Sequence, residues 1–332
     1  MTDLRPGLDP AVAEVRRAVR RALAPLPPGS IVLVGLSGGA DSLALAAATA
    51  FEAPKLGLRP ASLTVDHGLQ EQSADIAAAT ARAATALGLD ALVVRVEVGD
   101  AGGPEAAARD ARYRVLRDAA RDTGAAAVLV GHTLDDQAET VLLGLARGAG
   151  GTSLQGMAAA SDLEGVPLLR PLLEVRRTTT RAACAAEGLE PWDDPHNLDP
   201  RFARVRVRER VLPVLEAELG PGVAEALART AAQLREDAEA FDEMIGETIE
   251  DIVEPAEAGI AVSVAALAAN PAALRHRIIR HVVAAEFHES LTRSQTLEVA
   301  RLVTDWNGQG PIDLPGCRAR REAGRLVFVA RS

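Results

Sequence analysis

The sequence predicts an α/β protein with a doubly wound parallel sheet, followed by a smaller, mainly helical domain. Between residues 31 and 147, short runs that are almost entirely apolar alternate with segments that favour helices. Strands of a parallel sheet are buried on both faces, so they read as nearly continuous apolar runs with crossover helices between them. From about residue 215 the chain becomes rich in Ala and Glu. A length of 332 residues also exceeds what one core usually supports.

The first half of the chain shows a regular order of elements. An amphipathic helix over 11–26 ends at the prolines that follow it. The pattern then predicts strand 31–35, helix 41–52, strand 61–66, helix 72–87, strand 91–96, helix 104–122, strand 126–131 and helix 135–147. Ligands of such sheets bind beyond the carboxyl ends of the strands. We therefore expect the turns after the first, second and fourth strands to lie along one rim.

The second half predicts fewer strands. Residues 148–160 are rich in glycine and predict a loop without evident structure, which we expect to act as a mobile cover over the rim. Next come a strand-like piece over 166–173 and a helix over 174–187. The pattern predicts helices throughout 215–305, and then a hairpin with its turn at Glu322 to Gly324. We therefore expect one domain over 1–215 and a second, mainly helical domain over 216–332.

Composition excludes several classes of protein. A hydrophobic fraction of 48% with 25% charged residues is that of an ordinary globular protein. The chain has no apolar run long enough to span a membrane and no secretory signal at its N-terminus, so we expect a cytoplasmic protein without a membrane partner. The two cysteines, Cys184 and Cys317, form no CxxC pair. This argues against a cysteine zinc site, an iron–sulfur cluster and a redox dithiol.

The segment IVLVGLSGGADS, which starts at Ile31, predicts a nucleotide site. A buried strand stops at small residues and a helix follows, and the free N–H groups at a helix start attract phosphate. The contact residues expected here are Ser37, Gly38, Gly39, Ala40, Asp41 and Ser42. The lysine of a Walker loop is missing, and so is the GxGxxG of dinucleotide folds. The alternative is a turn of small residues that only packs the helix on the strand.

Two further turns carry candidate residues. In GHTLDDQAET, Asp136 and Glu139 are spaced i, i+3, so their carboxylates lie on one face of a helix start, where they can hold an ammonium group or Mg²⁺. His132 precedes them and could transfer a proton or contact a phosphate. Asp66 and His67 end the second strand. The alternatives are that the acids only cap the helix and that the histidine belongs to an ordinary turn.

Arginines form a local basic segment in a chain whose net charge is −10. Residues 201–210 contain five arginines and one glutamate. An extended segment would align most of these side chains on one face for phosphate contact, whereas a helix would spread them around its axis. Arg112 and Arg109 are spaced i, i+3 and therefore share a helix face. Two arginines in this arrangement are usually exposed to solvent and have no role in a site.

Six segments of the chain together resemble the tRNA(Ile)-lysidine synthetase family of pyrophosphate-loop enzymes. They are SGGADS, VDHGLQEQS, EAAARDARY, GHTLDDQAETVLLGLARGAGGTSLQGM, RPLLEVRR and DDPHNLDPRFARVRVRERVLPVL. The similarity covers about residues 28–215. It implies that ATP adenylates the C2 oxygen of the wobble cytidine in isoleucine tRNA with a CAU anticodon, releasing pyrophosphate. The amino group of L-lysine then attacks C2 and AMP leaves.

The resemblance also implies roles for residues of the rim. Ser37 to Ser42 would hold the triphosphate, Asp41 would help to position Mg²⁺, and Asp66 with His67 would lie beside the nucleotide. Asp136 and Glu139 would bind the cationic lysine.

Further roles concern the arginines and the histidine of the rim. Arg112 would contact the carboxylate of lysine or a phosphate, and His132 would contact the nucleotide or the cytidine. Arg206 and Arg208 match arginines of the family motif RNRxR, in which Val205 replaces the usual asparagine.

Recognition of tRNA beyond the catalytic domain would depend on residues 216–332, because the third domain of longer family members is not expected here. Candidate contacts are Arg275, Arg277, Arg280, Arg293, Arg318, Arg320 and Arg321. Alternative functions are another pyrophosphate-loop enzyme, such as a tRNA thiolase or an amidating synthetase, and a non-catalytic tRNA-binding protein. The sequence leaves a monomer and a homodimer both open.

Overall fold

The computed structural model describes residues 7–66, 68, 72–96, 104–148, 150–194, 198–256 and 259–331. The chain forms two compact units, Met1–Leu234 and Arg235–Ser332. The division falls within a long helix, later along the chain than the expected boundary at residue 215.

The first unit alternates strands and helices as the sequence predicts. Its described strands are β1 Ile31–Gly35, β2 Arg59–Asp66, β3 Asp90–Arg95, β4 Ala125–Val130, β5 Ala160–Leu163 and β6 Val166–Leu169. Its described α-helices are α1 Pro10–Leu23, α2 Ala40–Glu52, α3 Ser73–Leu87, α4 Pro104–Thr123, α5 Leu134–Ala146, α6 Gly150–Leu154, α7 Arg177–Ala186, α8 Ala203–Arg206 and α9 Leu212–Leu219. A π-helical turn, Val207–Val211, joins α8 to α9. A further helix, α10 Val223–Ile252, begins in this unit.

The described strands of this unit form one sheet in the order β3-β2-β1-β4-β6-β5. Neighbouring strands are parallel except for the β5–β6 pair at one edge. One face packs against α1, α2 and α7, and the other packs against α4. The predicted doubly wound parallel sheet is confirmed, and the carboxyl ends of β1, β2 and β4 share one rim.

The glycine-rich segment 148–160 is more ordered than the sequence predicts. It contains α6 and the first residue of β5. The side-chain amide of Gln137 anchors it, because Nε2 donates to the Met157 carbonyl at 2.7 Å and Oε1 accepts from the Met157 N–H at 2.6 Å. Gly144 of α5 also permits a close approach, since a Cβ there would lie 2.8 Å from the Ser153 carbonyl oxygen.

The second unit contains helices and a sheet. After α10 come β7 Val253–Ala256, β8 Gly259–Ser263, α11 Val264–Ala269, α12 Ala272–Phe287, α13 Arg293–Thr304, β9 Ile312–Asp313, β10 Cys317–Glu322 and β11 Arg325–Ala330. The described strands are ordered β7-β8-β11-β10-β9 with antiparallel pairs.

One prediction for the second unit is confirmed and one is wrong. The C-terminal hairpin forms, and its turn contains Ala323 and Gly324 with positive φ. The region 215–305 is not helical throughout, because β7 and β8 interrupt it. β8 pairs with β11, and this pairing buries Val262 against Phe328 and the helices of the unit. Within the described part of the chain, no helix is long and apolar enough to cross a membrane.

Candidate active site

The turn between β1 and α2 forms a phosphate-sized loop. Gly38 has a φ of +84°, a conformation that glycine adopts without steric cost. The Ser42 hydroxyl accepts a hydrogen bond from the Ser37 N–H at 3.1 Å and donates to the Gly39 carbonyl at 3.0 Å. The loop therefore closes on itself and leaves the first N–H groups of α2 directed at the rim.

Neighbouring segments fix this loop from several sides. The Trp192 N–H donates to the Gly38 carbonyl at 3.0 Å. A Cβ at Gly38 would lie 2.7 Å from Oγ1 of Thr80 in α3. At the end of β4, a Cβ at Gly131 would lie 3.0 Å from the main chain of Asp41 and Ser42. Because Gly38 and Gly131 have no side chain, α3 and β4 can approach the phosphate loop closely. The GHTLDD turn that follows β4 therefore lies next to this loop.

Asp41, in the first turn of α2, points toward α7. Thr180 donates a hydrogen bond to Asp41 Oδ1, and Arg177 Nε lies 3.3 Å from Asp41 Oδ2. Burial raises the pKa of Asp41, and the neighbouring charge of Asp136 raises it further, while Thr180 and Arg177 partly offset these effects. Asp41 and Asp136 are therefore close enough for their charges to interact.

Asp136 has two roles in the first turn of α5. Its Oδ2 accepts hydrogen bonds from the N–H and hydroxyl of Thr133, both at 2.8 Å, which completes a capping box. Its Oδ1 accepts from Arg177 Nη2 at 2.9 Å. Burial acts to raise the pKa of Asp136, but Arg177, the Thr133 N–H and His132 outweigh burial, so the pKa is lowered. Oδ2 of Asp136 therefore caps the helix, whereas Oδ1 faces the site.

Glu139 is fully buried and surrounded by arginines. Arg208 donates to both of its oxygens, from Nε at 2.8 Å and from Nη2 at 3.1 Å. Arg177 Nη1 donates to Oε1 at 3.1 Å, and Arg204 Nε lies 3.6 Å from Oε2. A buried carboxylate needs such compensation, since an unpaired charge in the interior is costly.

The arginine-rich segment is helical, which decides between the extended and helical conformations that the sequence left open. Val207 and Leu212 pack with Leu134 and Ala138 of α5, and this apolar contact sets the orientation of the helix. Arg204 and Arg208 are four residues apart and therefore both face Glu139. Arg206 points elsewhere and donates to the carbonyls of Pro200 and Arg201, each at 2.8 Å.

His132 and Arg112 form a basic corner beside these acids. Burial lowers the pKa of His132 to about 3; Asp136 opposes this shift, and the charges of nearby arginines, including Arg112, add to it. Its Nδ1 is buried and has no hydrogen-bond partner among the described residues. Burial also lowers the pKa of Arg112, and no acidic side chain of the described part pairs with it. The corner therefore suits an anionic group or a hydrogen-bonding base.

Asp66 at the end of β2 is buried, and its Oδ1 accepts from the Gly68 N–H at 3.0 Å. Its Oδ2 lies 4.0 Å from Arg95 Nε. His67 lies outside the described residues.

The acids of the rim fit a magnesium–nucleotide complex. Among the described residues, no group of three or more His, Cys, Asp or Glu side chains is arranged as a metal cage. Mg²⁺ in nucleotide sites is usually held by one or two carboxylates, with phosphate oxygens and water as the other ligands. Asp41 and Asp136 provide two such carboxylates next to the phosphate loop, and both already bind one cationic group, Arg177.

Arg177 and Thr180 contact the site although their sequence predicted no role for them, and Arg204 was predicted only as part of the basic segment 201–210. A signal was present for Arg177, because Arg176 and Arg177 stand at the start of α7, where the helix dipole disfavours positive charge. Cations at such a place indicate acidic partners from elsewhere in the fold. The carboxylates of Asp135, Asp136, Glu139 and Asp41 are those partners.

Known proteins are similar to both parts of the chain. Residues 12–215 match the PP-loop domain, and residues 263–327 match the TilS substrate binding domain. The tRNA(Ile)-lysidine synthase of Leifsonia xyli subsp. xyli is 62% identical over 306 residues, covering 92% of this chain and 91% of its own. That of Thermobifida fusca is 52% identical over 328 residues, covering 98% and 99%.

A solved structure supports the fold. The U34-tRNA thiolase NcsA from Methanococcus maripaludis, determined with its [4Fe-4S] cluster, superposes with a TM-score of 0.57 at 20% identity, covering 68% of this chain and 79% of that one. At this identity the similarity shows the fold alone. The two domain matches and the high identity over nearly the whole length show that this chain belongs to the tRNA(Ile)-lysidine synthase family.

Proposed function

We propose that this chain ligates L-lysine to C2 of the wobble cytidine of isoleucine tRNA with a CAU anticodon, using ATP. The observation that carries the proposal is the convergence of Asp41, Asp136 and Glu139 on one guanidinium beside a phosphate loop. Such a site binds a positively charged group next to a nucleotide. Membership of the tRNA(Ile)-lysidine synthase family supports the reaction.

The phosphate loop serves the first step. The C2 oxygen of cytidine attacks the α-phosphorus of ATP, and pyrophosphate leaves. The N–H groups at the start of α2 and the hydroxyls of Ser37 and Ser42 hold the phosphates. Asp41 would help to position Mg²⁺, and the ion would supply positive charge for the departing pyrophosphate. Asp66 borders the nucleotide at the next strand end.

The acids of α5 serve the second step. Asp136 and Glu139 would bind the cationic lysine; Asp136 faces the site, whereas Glu139 is buried on Arg177 and Arg208 and acts from behind it. Arg112 would pair with the carboxylate of lysine or with a phosphate. The amino group of lysine attacks C2, and AMP leaves with the former C2 oxygen. His132 is uncharged at neutral pH and therefore takes part as a hydrogen-bonding group toward the nucleotide or the cytidine.

Arginines of the second unit supply a surface for tRNA phosphate. Arg275, Arg280 and Arg293 each help to lower the pKa of His276, in which burial is the largest effect, so these side chains are near one another. No ion pair joins them to an acid within the described residues. In contrast, Arg318 and Arg320 pair with Asp313 and Glu322. Because RNA binding gains from unpaired cations, we assign the contact to Arg275, Arg277, Arg280 and Arg293.

The rival activities fit less well. Thiolation needs a reactive cysteine, but Cys184 and Cys317 are both buried. Burial raises the pKa of each thiol to about 11, so neither forms a thiolate at neutral pH. A non-catalytic tRNA-binding protein would have no need for three carboxylates gathered beside the phosphate loop.

The test is product formation by the purified protein with ATP, Mg²⁺, each amino acid in turn and the isoleucine tRNA. We expect pyrophosphate release, and by mass spectrometry a nucleoside carrying one lysine, only when lysine and this tRNA are both present. Incorporation of sulfur, or no product with this tRNA, would contradict the proposal.

A further inference from the structure

Arg177 is the one guanidinium of the described residues that contacts carboxylates from both sides of the rim. Its Nη2 lies 2.9 Å from Asp136, its Nη1 lies 3.1 Å from Glu139 and its Nε lies 3.3 Å from Asp41. Asp41 belongs to the phosphate loop, whereas the two other acids belong to α5. The arginine therefore ties the phosphate loop to the amino-acid side of the site, at the position where a second cation would have to bind.

Hydrogen bonds hold the main chain of Arg177 in place. The backbone N–H of Arg177 donates to Asp135 Oδ2 at 2.7 Å, and its carbonyl accepts from the Thr180 hydroxyl at 2.8 Å. The same hydroxyl donates to Asp41. Because the main chain is held independently of the guanidinium, the guanidinium can give up one carboxylate while α7 stays in place.

The three ion pairs of Arg177 are not equivalent. The contact with Asp41 is the longest of the three. Glu139, Arg177 and Arg208 are among the residues that line a cavity of about 160 Å³, whereas Asp41 and Asp136 do not line it. Leu212, Pro213 and Ala224 form an apolar part of its wall. The guanidinium thus has space on the Glu139 side, away from the phosphate loop.

We propose that Arg177 is a positioning residue that serves as the counter-ion of Asp41 while no nucleotide is bound, and that it yields this carboxylate to a divalent cation arriving with the nucleotide. Its guanidinium then remains on Asp136 and Glu139, the two shorter contacts. The proposal rests on the proposed function in taking the ligand to be a metal–nucleotide complex. It predicts that wild-type protein without nucleotide binds divalent cations weakly, because their place is occupied.

The test is Mn²⁺ binding to nucleotide-free protein, measured by electron paramagnetic resonance of free Mn²⁺. In Arg177→Gln, Asp41 loses its cationic partner, while Arg208 still lies beside Asp136 and Glu139. Mn²⁺ affinity should therefore rise by at least about tenfold, as expected for removal of one charge at contact distance. Arg177→Lys keeps a positive charge, which should return the affinity toward that of the wild type. If Arg177 had a purely structural role, Arg177→Gln would not raise the Mn²⁺ affinity and Arg177→Lys would not restore it.

Arg181→Gln is the matched control, since Arg181 lies on the same helix and forms an exposed pair with Asp193. Its Mn²⁺ affinity should equal that of the wild type. The proposal is overturned if folded Arg177→Gln binds Mn²⁺ as weakly as the control. If Arg177→Gln does not fold, Arg177→Met takes its place, because it also removes the charge, and a Mn²⁺ affinity equal to that of the control would again overturn the proposal. These measurements use neither tRNA nor lysine, so a failure of the ligase assay is a separate result.

Discussion

Arg208 Nε and Nη2 donate to the two carboxylate oxygens of Glu139, at 2.8 and 3.1 Å, and the glutamate has no exposed surface. A bidentate pair of this kind has fixed geometry as well as charge complementarity. It joins the arginine-rich helix to α5, so the acids of the candidate lysine site and the basic segment form one structure.

Replacing Glu139 tests the energetic weight of this pair. In Glu139→Gln, the guanidinium groups of Arg208 and Arg177 lose a charged partner, and we expect the free energy of unfolding to fall by about 3–5 kcal/mol. Urea denaturation measures the change. The control is Glu174→Gln, which removes an exposed partner of Arg21 and should cost less than about 1 kcal/mol. Equal losses in both variants would contradict the buried role of Glu139.

Replacing Gly38 tests the phosphate loop. Gly38→Ala places a methyl group at a positive φ and against Thr80, so we expect a raised KM for ATP, by roughly tenfold to a hundredfold, from displacement of the loop. Gly29→Ala is a matched control, because φ is +85° and nothing lies within 4 Å of the added Cβ. Both variants should lose about 1–2 kcal/mol of stability from backbone strain. An unchanged KM for ATP in Gly38→Ala, or an equally raised KM in Gly29→Ala, would contradict the prediction that Gly38 shapes the phosphate loop.

His132 should stay uncharged throughout the physiological pH range. Its pKa is lowered to about 3, so its ring resonances in NMR spectra should not titrate between pH 5 and pH 8. The unfolded chain takes up a proton near pH 6.5, whereas the native state does not. Below pH 6.5 stability therefore declines with falling pH, by up to about 1.4 kcal/mol per pH unit from this residue. His132→Asn should lack that contribution, and a titration midpoint near 6.5 in the folded protein would show the prediction to be wrong.

The arginines of the second unit should separate into two groups in tRNA binding. The double variant Arg280→Gln with Arg293→Gln removes two cations without acidic partners, so affinity should fall and the slope of log K against log salt should decrease by about one for each lost phosphate contact. Arg318→Gln with Arg320→Gln removes two paired cations and serves as the control. Filter binding at several salt concentrations gives both slopes. The assignment fails if the two double variants behave alike.

Much of the fold followed from local patterns. The apolar runs of β1, β2 and β4 and the helices between them lie within a few residues of their predicted bounds, because burial on both sheet faces imposes a pattern that each segment carries by itself. β7 and β8 were missed for the opposite reason. β8 becomes a strand by pairing with β11, more than sixty residues later in the chain, and β7 extends the sheet by pairing with β8. The helical form of the arginine-rich segment likewise depends on packing against α5.

Local sequence was enough to predict the phosphate loop and the two acids of α5, since each depends on neighbouring residues in one strand–turn–helix unit. The contacts of these groups, in contrast, depend on how distant segments pack. Arg177, Arg204 and Arg208 come from segments far along the chain, and nothing in their local pattern states which carboxylate each will meet. Ion pairs between distant segments are selected by the folded geometry, because a charge near the interior must find its partner there.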